Sequence, residues 1–456
     1  MQRSRTLRAV VPLLVCCLVA ASCGGRDDGS SGSADGGNGS GNGNGGGETG
    51  GVDTSDCPDN DTAGIEGNTI TLASSFPQSG LTAAFAQISK GYKAYFDKVN
   101  DEGGVDIAGE SYEIEVIDED DEYNASQTVQ NINELVGTEG DRAFAVFNVV
   151  GTANNLAIRD VLDENCVPNI FAATGSPAWG NTEFPWLVGS TLAPYSLEGV
   201  AYASWLEENQ PDAQVAMLVQ DDDFGRAYEE GFRRAIEGTD ITVAQVATYA
   251  TGAAEVASQV TSLAASGADA FFNGATLLAC PNALDQATAA NWDRESTFVS
   301  GTCISKTLMG IAGQNADGAL ATTNIKDPLN PAFAEDEAMA EYFEVLDGYA
   351  EPDVDPENGI VAYGYTQAAL FVHVLEESPE ASRSAVLDTM RNIDTEDLGL
   401  LIEGVPAKMS DEDPFLAENL QLIQYNAAEA YFEDVGEVID FEGQTAEITP
   451  EELINS

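Results

Sequence analysis

Short apolar runs alternate with amphipathic stretches through most of the chain, and this alternation constrains its fold more than any other feature. From Thr69 onward, strand-like runs such as TITLASS and YEIEVID are separated by stretches whose apolar residues recur every three or four positions. The same order begins again near Tyr195, where a predicted helix leads to the strand QVAMLVQ. Strands separated by helices form parallel sheets that are covered on both faces. The sequence therefore predicts an α/β protein with two doubly wound parallel-sheet lobes.

Two further helical stretches follow GALATTNIKDP without a new full sheet. We expect them to cover the first lobe, which makes the chain cross between the lobes several times. The predicted lobes are residues 68–190 plus 325–402 and residues 191–324 plus 403–456. A multiply crossed hinge of this kind joins two lobes and leaves a cleft between them.

The start of the chain has the pattern of an export signal. Three arginines precede AVVPLLVCCLVAAS, which is too short for a comfortable membrane span but typical of a secretory signal. Small residues before Cys23 predict a lipoprotein signal peptide over residues 1–22, with Cys23 as the lipid anchor; a plain signal peptide cut nearby is the alternative. Residues 23–67, rich in Gly, Ser and Asn, are predicted to form a linker. We therefore expect the protein on the outer face of the cell membrane.

Four cysteines remain after the predicted anchor, and an even number in an exported protein favours disulfides. They are Cys57, Cys166, Cys280 and Cys303. Cys57 and Cys166 each precede a predicted strand of the first lobe, and the other two lie in the second lobe, so these two pairs are one possible arrangement. The sequence leaves all three pairings open, as well as four buried thiols.

The charge and the residue inventory exclude several classes of function. The chain has 77 Asp and Glu residues against 18 Lys and Arg, a formal net charge of −59, which repels nucleic acid. With a single histidine, it has neither a Ser-His-Asp triad nor a histidine-rich zinc site. Pairs of carboxylates are expected to lie at the surface of so acidic a chain and not in a catalytic site. We predict no catalytic residue, no metal site and no cofactor.

Small and hydroxyl residues gather where the predicted strands end. Ligands of open parallel sheets bind beyond the carboxyl ends of the strands. Gly151 and Thr152, at the start of a predicted helix, together with the Thr174 hydroxyl, offer N–H groups, a helix dipole and short hydrogen bonds to a carboxylate. For each residue alone, ordinary capping and turn chemistry is the alternative.

The sequence resembles the extracytoplasmic solute-binding proteins of branched-chain amino-acid type ABC transporters, from residue 69 to about 450. The stretches that carry the resemblance include SFPQSGLTAAFAQISKGYKAYFDKVNDEGGV, CVPNIFAATGSPAW and QDDDFGRAYEEGFRRAI. It implies the leucine-binding, type I periplasmic-binding-protein fold, and a non-enzymatic protein that closes over a small solute and delivers it to permease and ATPase subunits. A ligand-sensing receptor of the same fold is the alternative, and an enzyme is a more distant one.

The resemblance also assigns ligand-binding positions to residues of this chain. They are Phe85, Gly151, Thr152, Ala172, Ala173, Thr174, Phe224, Ala275 and Thr302. Three positions depart from the family pattern: Gly151 replaces a serine, Ala275 replaces a tyrosine, and the stretch SGTC around Thr302 lacks the expected acid. Leaving a ligand ammonium buried without a counter-charge costs several kcal/mol. The departures favour a bulkier or aromatic acid, or an amide, over a free amino acid.

Overall fold

The computed structural model describes residues 52–136, 142–396 and 398–456. The predicted signal peptide, the predicted anchor Cys23 and most of the predicted linker lie outside these ranges. Within them, no helix is both long enough and apolar enough to span a membrane.

The first sheet has seven strands in the order β3-β4-β2-β5-β6-β7, with β1 paired to the start of β2. The pairs are parallel except for β1 with β2 and β3 with β4. The strands are β1 (Ile65–Glu66), β2 (Thr69–Phe76), β3 (Val105–Ile107), β4 (Glu110–Asp120), β5 (Ala145–Phe147), β6 (Asn169–Ala172) and β7 (Leu187–Gly189).

Helices cover both faces of this sheet. They are α1 (Gln87–Asp101), α2 (Ala125–Val136) and α3 (Thr152–Glu164). On one face, the α1 ring of Tyr92 packs edge-on against Phe147 of β5 at 5.4 Å between ring centroids. On the other face, Ile132 of α2 and Leu162 of α3 share a core with Val146.

The second sheet repeats this plan, with the parallel strands in the order β12-β11-β10-β8-β9. The strands are β8 (Gln214–Gln220), β9 (Thr242–Tyr249), β10 (Ala270–Gly274), β11 (Ser296–Val299) and β12 (Leu320–Thr323). The helices are α4 (Tyr195–Asn209), α5 (Asp223–Ala235), α6 (Ala257–Ala264), α7 (Ala279–Ala289) and α8 (Lys306–Ala312). Helices α4 and α5 share one core with the sheet, and α6 to α8 share another.

The C-terminal part of the chain returns to both lobes. Its elements are α9 (Glu337–Tyr349), α10 (Gly359–Glu377), α11 (Arg383–Arg391), β13 (Asp394–Thr395), β14 (Ala407–Lys408), β15 (Gln421–Asn426), β16 (Tyr431–Asp434), α12 (Thr445–Ile448) and α13 (Glu451–Ile454). Helix α10 packs directly against the backbone of α1 at Gly364. A Cβ at this position would lie only 2.0 Å from the Ile88 carbonyl oxygen, so glycine is needed for the close contact. Strands β15 and β16 extend the second sheet antiparallel beyond β12.

The two doubly wound parallel-sheet lobes predicted from the sequence are confirmed, with antiparallel strands added at their edges. Two of the segments that cross between the lobes lie next to each other and are joined by a hydrogen bond. The Asn324 side-chain amide donates to the Thr191 carbonyl, and Gln367 Nε2 of α10 donates to the Thr191 hydroxyl at 2.7 Å. The final crossing follows Leu416, because Val405 and Leu416 still lie in the core of the first sheet.

Two disulfides lie one in each lobe, and their pairing is one of the three that the sequence leaves open. Cys57 is bonded to Cys166 and Cys280 to Cys303, with Cα atoms 5.6 and 6.2 Å apart. The folded region begins before residue 68, within the range predicted to be linker. Asp61 Oδ1 accepts a 3.0 Å hydrogen bond from the Ser384 amide at the start of α11, so this segment is held by a cap as well as by a disulfide.

Candidate ligand-binding site

A cleft lies between the two lobes at the carboxyl ends of both parallel sheets. Its volume is about 1420 Å³, including the solvent at its mouth. Its walls are mainly apolar and come from both lobes, with Ile88, Val150 and Leu192 on one side and Ile304 and Met309 on the other. An apolar wall with a few converging polar groups is typical of a small-molecule site.

The first polar group belongs to the turns after β5 and β6. The hydroxyl oxygens of Thr152 and Thr174 are 2.6 Å apart. Thr174 lines the cleft, whereas Thr152, at the N-terminus of α3, lies behind it. Two turns are thus joined so that one hydroxyl is aimed at the cleft, next to the positive end of a helix dipole.

The backbone at this edge adopts an uncommon conformation. Asn148 and Phe171, which lie at the ends of β5 and β6, both have φ of 54°. The Asn148 amide donates to the Phe171 carbonyl at 2.8 Å. A bulky residue in the left-handed region is held there by its surroundings, and such residues cluster at ligand sites. The conformation of Phe171 therefore fixes the direction in which Ala173 and Thr174 leave β6.

The second polar group is Glu198 on the first turn of α4. Its side chain is almost fully buried, with 5% of the residue surface exposed, yet it lines the cleft. Its Oε1 accepts from the Tyr228 hydroxyl at 2.9 Å, and its Oε2 accepts from the Gly301 amide at 2.8 Å. Burial raises the pKa of Glu198 to about 7, against the opposing effect of these hydrogen bonds.

Aromatic rings join the two polar groups. Tyr195 stacks on Tyr228 with ring centroids 4.8 Å apart, and meets Phe224 edge-on at 4.9 Å. Burial raises the pKa of Tyr195, and a hydrogen bond with the Thr174 side chain opposes this rise. Tyr195 therefore also contacts Thr174. A continuous wall therefore runs from the Thr174 hydroxyl to the Glu198 carboxyl.

The structure places six of the nine predicted ligand-binding positions on the cleft wall. These six are Phe85, Gly151, Ala173, Thr174, Phe224 and Thr302. Thr152 supports the Thr174 hydroxyl from behind, and Ala172 is buried within β6. Ala275 packs in the core of the second lobe, and its neighbour Thr276 lines the cleft instead.

The space expected at Gly151 is filled by the ring of Tyr123, which was not predicted from the sequence to lie at the site. A Cβ on Gly151 would lie 2.7 Å from Cε2 of Tyr123, so the glycine makes room for that ring and not for a larger ligand. Tyr123 also packs near Phe85, at 6.2 Å between ring centroids. Burial raises the pKa of Tyr123, and the charge of Asp222 in the second lobe adds to the rise.

Glu198 was not predicted from the sequence, and it supplies the acid that is absent from the stretch around Thr302. The carboxylate reaches Gly301 from α4, 103 positions earlier in the chain. One signal was present in the sequence: an acid on the otherwise apolar helical stretch YSLEGVAYA. A lone acid on an apolar helix face has to be paired or functional.

One further hydroxyl lines the cleft without a hydrogen-bond partner among the described residues. It is Oγ1 of Thr276, in a buried side chain. Buried polar atoms are normally paired, so this hydroxyl is suited to a hydrogen bond with a ligand or a water molecule. The Thr322 side chain lies against Glu198 instead and opposes the rise in the pKa of that carboxyl.

Comparison with known families agrees with this geometry. The family model described as periplasmic binding protein matches residues 69–430. The chain belongs to the periplasmic binding protein family. Among curated relatives of this periplasmic binding protein, the Leu/Ile/Val-binding protein homolog 3 of Brucella melitensis is 26% identical over 276 residues. The match covers 59% of this chain and 71% of that protein.

Two solved structures show the same fold. A branched-chain amino acid ABC transporter protein from Thermus thermophilus, with bound valine, gives a TM-score of 0.73 at 18% identity, covering 84% of this chain and 99% of the other. A fatty acid ABC transporter substrate-binding protein from Thermomonospora curvata gives 0.72 at 18% identity, covering 85% and 96%. These two structures show that this periplasmic binding protein has the type I fold. The family match places it in an extracytoplasmic class of solute-binding proteins.

Proposed function

We propose that this protein is the solute-binding component of an ABC importer and that it closes its two lobes over a small carboxylate solute. One observation carries the proposal: the Thr174 hydroxyl of the first lobe and the Glu198 carboxyl of the second lobe lie on one apolar cleft wall. A solute that touches both lobes stabilises the closed state, because its contacts form completely only there.

A free α-amino acid with an apolar side chain suits the two polar groups best. The Thr174 hydroxyl and the amides at the N-terminus of α3 are placed to donate hydrogen bonds to a carboxylate, and Glu198 supplies the counter-charge for an ammonium. Phe85 and Phe224 then enclose the side chain. The valine bound in the Thermus thermophilus structure supports this class. An aromatic acid or an amide is the alternative.

Contacts between the lobes support closure as the mechanism. Lys306 Nζ of the second lobe lies 2.9 Å from Asp355 Oδ2 and 2.6 Å from Glu357 Oε2, and both acids precede α10 of the first lobe. The Arg159 guanidinium of α3 donates at 2.6 Å to the carbonyl of Ser456, which follows α13. No step that makes or breaks a bond is part of this proposal.

The remaining features follow from the sequence and the family. We propose residues 1–22 as a lipoprotein signal, Cys23 as the lipid anchor, and permease and ATPase subunits as partners. We also propose lobes of residues 68–190 plus 325 to about 417, and of residues 191–324 plus about 418 to 456; the final boundary moves from 402 because Leu416 packs in the first lobe.

Ligand-dependent thermal stabilisation of the purified full chain tests the proposal. Branched-chain and aromatic amino acids, their des-amino acids and their amides are compared at equal concentration. A ligand at 100 times its Kd raises the free energy of unfolding by about 2.7 kcal/mol. We expect stabilisation by at least one amino acid and less by its des-amino analogue. Chemical turnover of any stabilising compound contradicts a purely binding role, and a response to des-amino acids alone contradicts the amino-acid assignment.

A further inference from the structure

One tyrosine of the cleft wall lies between the two lobes, on the side of the sheets away from the crossings. The crossings at Thr191 and Asn324 follow β7 and β12. Tyr123 and Gly252 instead follow β4 and β9, at the other side of the two sheets. A Cβ on Gly252 would be 4.0 Å from Cδ1 of Tyr123. The ring therefore meets the second lobe where a hinge motion separates the lobes most.

The backbone of Tyr123 is fixed by the turn in which it lies. Glu122 and Tyr123 have φ of 49° and 62°, a region that residues other than glycine adopt only when their surroundings hold them there. Oδ1 of the buried Asp121 accepts from the Tyr123 amide at 2.9 Å. Its Oδ2 accepts from the Ser75 and Thr128 hydroxyls, each at 2.9 Å. Contacts within the first lobe thus hold the tyrosine at the cleft.

The ring fills the space beside the group that is placed to bind a carboxylate. A Cβ on Gly151 would lie 2.7 Å from Cε2 of Tyr123 and 3.3 Å from its hydroxyl oxygen. Gly151 precedes α3 and lines the cleft, as Thr174 does. Phe85 lies on the ring at 6.2 Å between centroids. Burial raises the pKa of Tyr123, and a hydrogen bond with the Gln220 side chain of β8 opposes this rise, so the hydroxyl also contacts the second lobe.

We propose that Tyr123 is a specificity-determining residue whose ring closes the solute site beside the carboxylate, so that the protein takes free amino acids and excludes peptides. The inference rests on the proposed function, in which the solute carboxylate lies at Thr174 and the N-terminus of α3. A solute extended beyond its carboxyl group by a peptide bond needs the space that the ring fills between Gly151 and Gly252. A packed site accepts additional atoms only if a side chain is displaced.

Isothermal titration of the purified full chain tests the inference. Valine, leucine and phenylalanine are each compared with the dipeptide that carries glycine at their carboxyl group. The measured quantity is the ratio of the dipeptide Kd to the amino-acid Kd, because a loss of folded protein affects both ligands alike. The native chain should favour the amino acid by roughly tenfold or more. Tyr123→Ala should lower the ratio by roughly tenfold, chiefly through tighter binding of the dipeptide.

Three further variants make the comparison specific to the ring. Tyr123→Phe keeps the ring and should keep the native ratio. Tyr112→Ala makes the same truncation on β4, at a position outside the lining of the cleft, and should also keep it. Tyr123→Leu should lower the ratio less than Tyr123→Ala does, and it replaces that variant if the alanine protein does not fold.

Two results would overturn the inference while leaving the proposed function intact. One is a native chain that binds a dipeptide as tightly as its amino acid, and the other is a Tyr123→Ala protein with the native ratio. If none of the three amino acids binds the native chain, the proposed amino-acid function fails, and this inference fails with it.

Discussion

Glu198 Oε2 lies 2.8 Å from the backbone nitrogen of Gly301, so a carboxylate from α4 meets the turn after β11. This contact restores the acid that the sequence lacks around Thr302. The same contact holds the Glu198 carboxyl at the wall of the cleft. Burial raises the pKa of this carboxyl to about 7. The affinity of the protein for its solute should therefore depend on pH near neutrality.

The first prediction concerns the class of solute. An amino acid should bind more tightly as pH rises through about 7, because its ammonium pairs with ionised Glu198. A ligand without an ammonium should instead weaken over the same range. Glu198→Gln should remove this dependence and weaken amino-acid binding by about 2–5 kcal/mol. Isothermal titration from pH 5.5 to 8.5 measures both effects, and a slope that persists in Glu198→Gln would exclude Glu198 as its source.

Unfolding of the ligand-free protein gives the control for that prediction. The pKa of Glu198 is higher in the folded state than the ordinary value of 4.5, so the unfolded chain loses this proton first. Relative to Glu198→Gln, the native chain should therefore lose stability as pH rises from about 4.5 to 7, with no further loss above. Denaturant midpoints measured across this range give the difference.

The second prediction concerns the hydroxyl pair at the opposite end of the wall. Thr174→Val removes the hydroxyl that faces the cleft and leaves Thr152 Oγ1 without its 2.6 Å partner. Solute affinity should fall by about 1–3 kcal/mol. Thr288→Val, at an exposed helical position, makes the same chemical change as a control. Equal affinities in the two variants would remove Thr174 from the site.

The third prediction concerns the ion pairs that bridge the lobes. Lys306→Met removes both contacts with Asp355 and Glu357, which should favour the open state and weaken solute binding about two- to fivefold at low salt, as expected for exposed pairs. The loss should disappear near 1 M salt, where the screening length is about 3 Å. Arg233→Met breaks a pair with Glu229 within α5 and should leave affinity unchanged. An effect of Lys306→Met that is independent of salt would argue against the bridge.

The fourth prediction concerns the contact that fastens the C-terminal helices to the first lobe. A Cβ on Gly364 would lie 2.0 Å from the Ile88 carbonyl oxygen, so Gly364→Ala should force α10 away from α1 and cost about 1–3 kcal/mol of folding stability. Gly348→Ala, in α9 with open space around its Cβ position, should be neutral or stabilising by about 0.5–1 kcal/mol. Chemical denaturation compares the two variants; equal stabilities would contradict the close crossing.

The order of strands and helices could be predicted because it rests on local periodicity. Thr69–Phe76, Thr152–Glu164 and Gln214–Gln220 form a strand, a helix and a strand close to where the spacing of apolar residues indicates. The edge strands β15 and β16 were not predicted, since short antiparallel strands depend on the sheet that they join. The wall position of Thr174 likewise followed from the general rule that ligands lie beyond strand ends.

The sequence by itself determined the two α/β lobes, the turns that face the cleft and the excess of negative charge, all of which are properties of neighbouring residues or of composition. Only the tertiary structure decided that Tyr123 fills the space beside Gly151 and that Glu198 reaches Gly301. The physical reason is separation along the chain: Glu198 and Gly301 are 103 positions apart, and no local pattern records which distant side chain the packing of two sheets brings to a given turn.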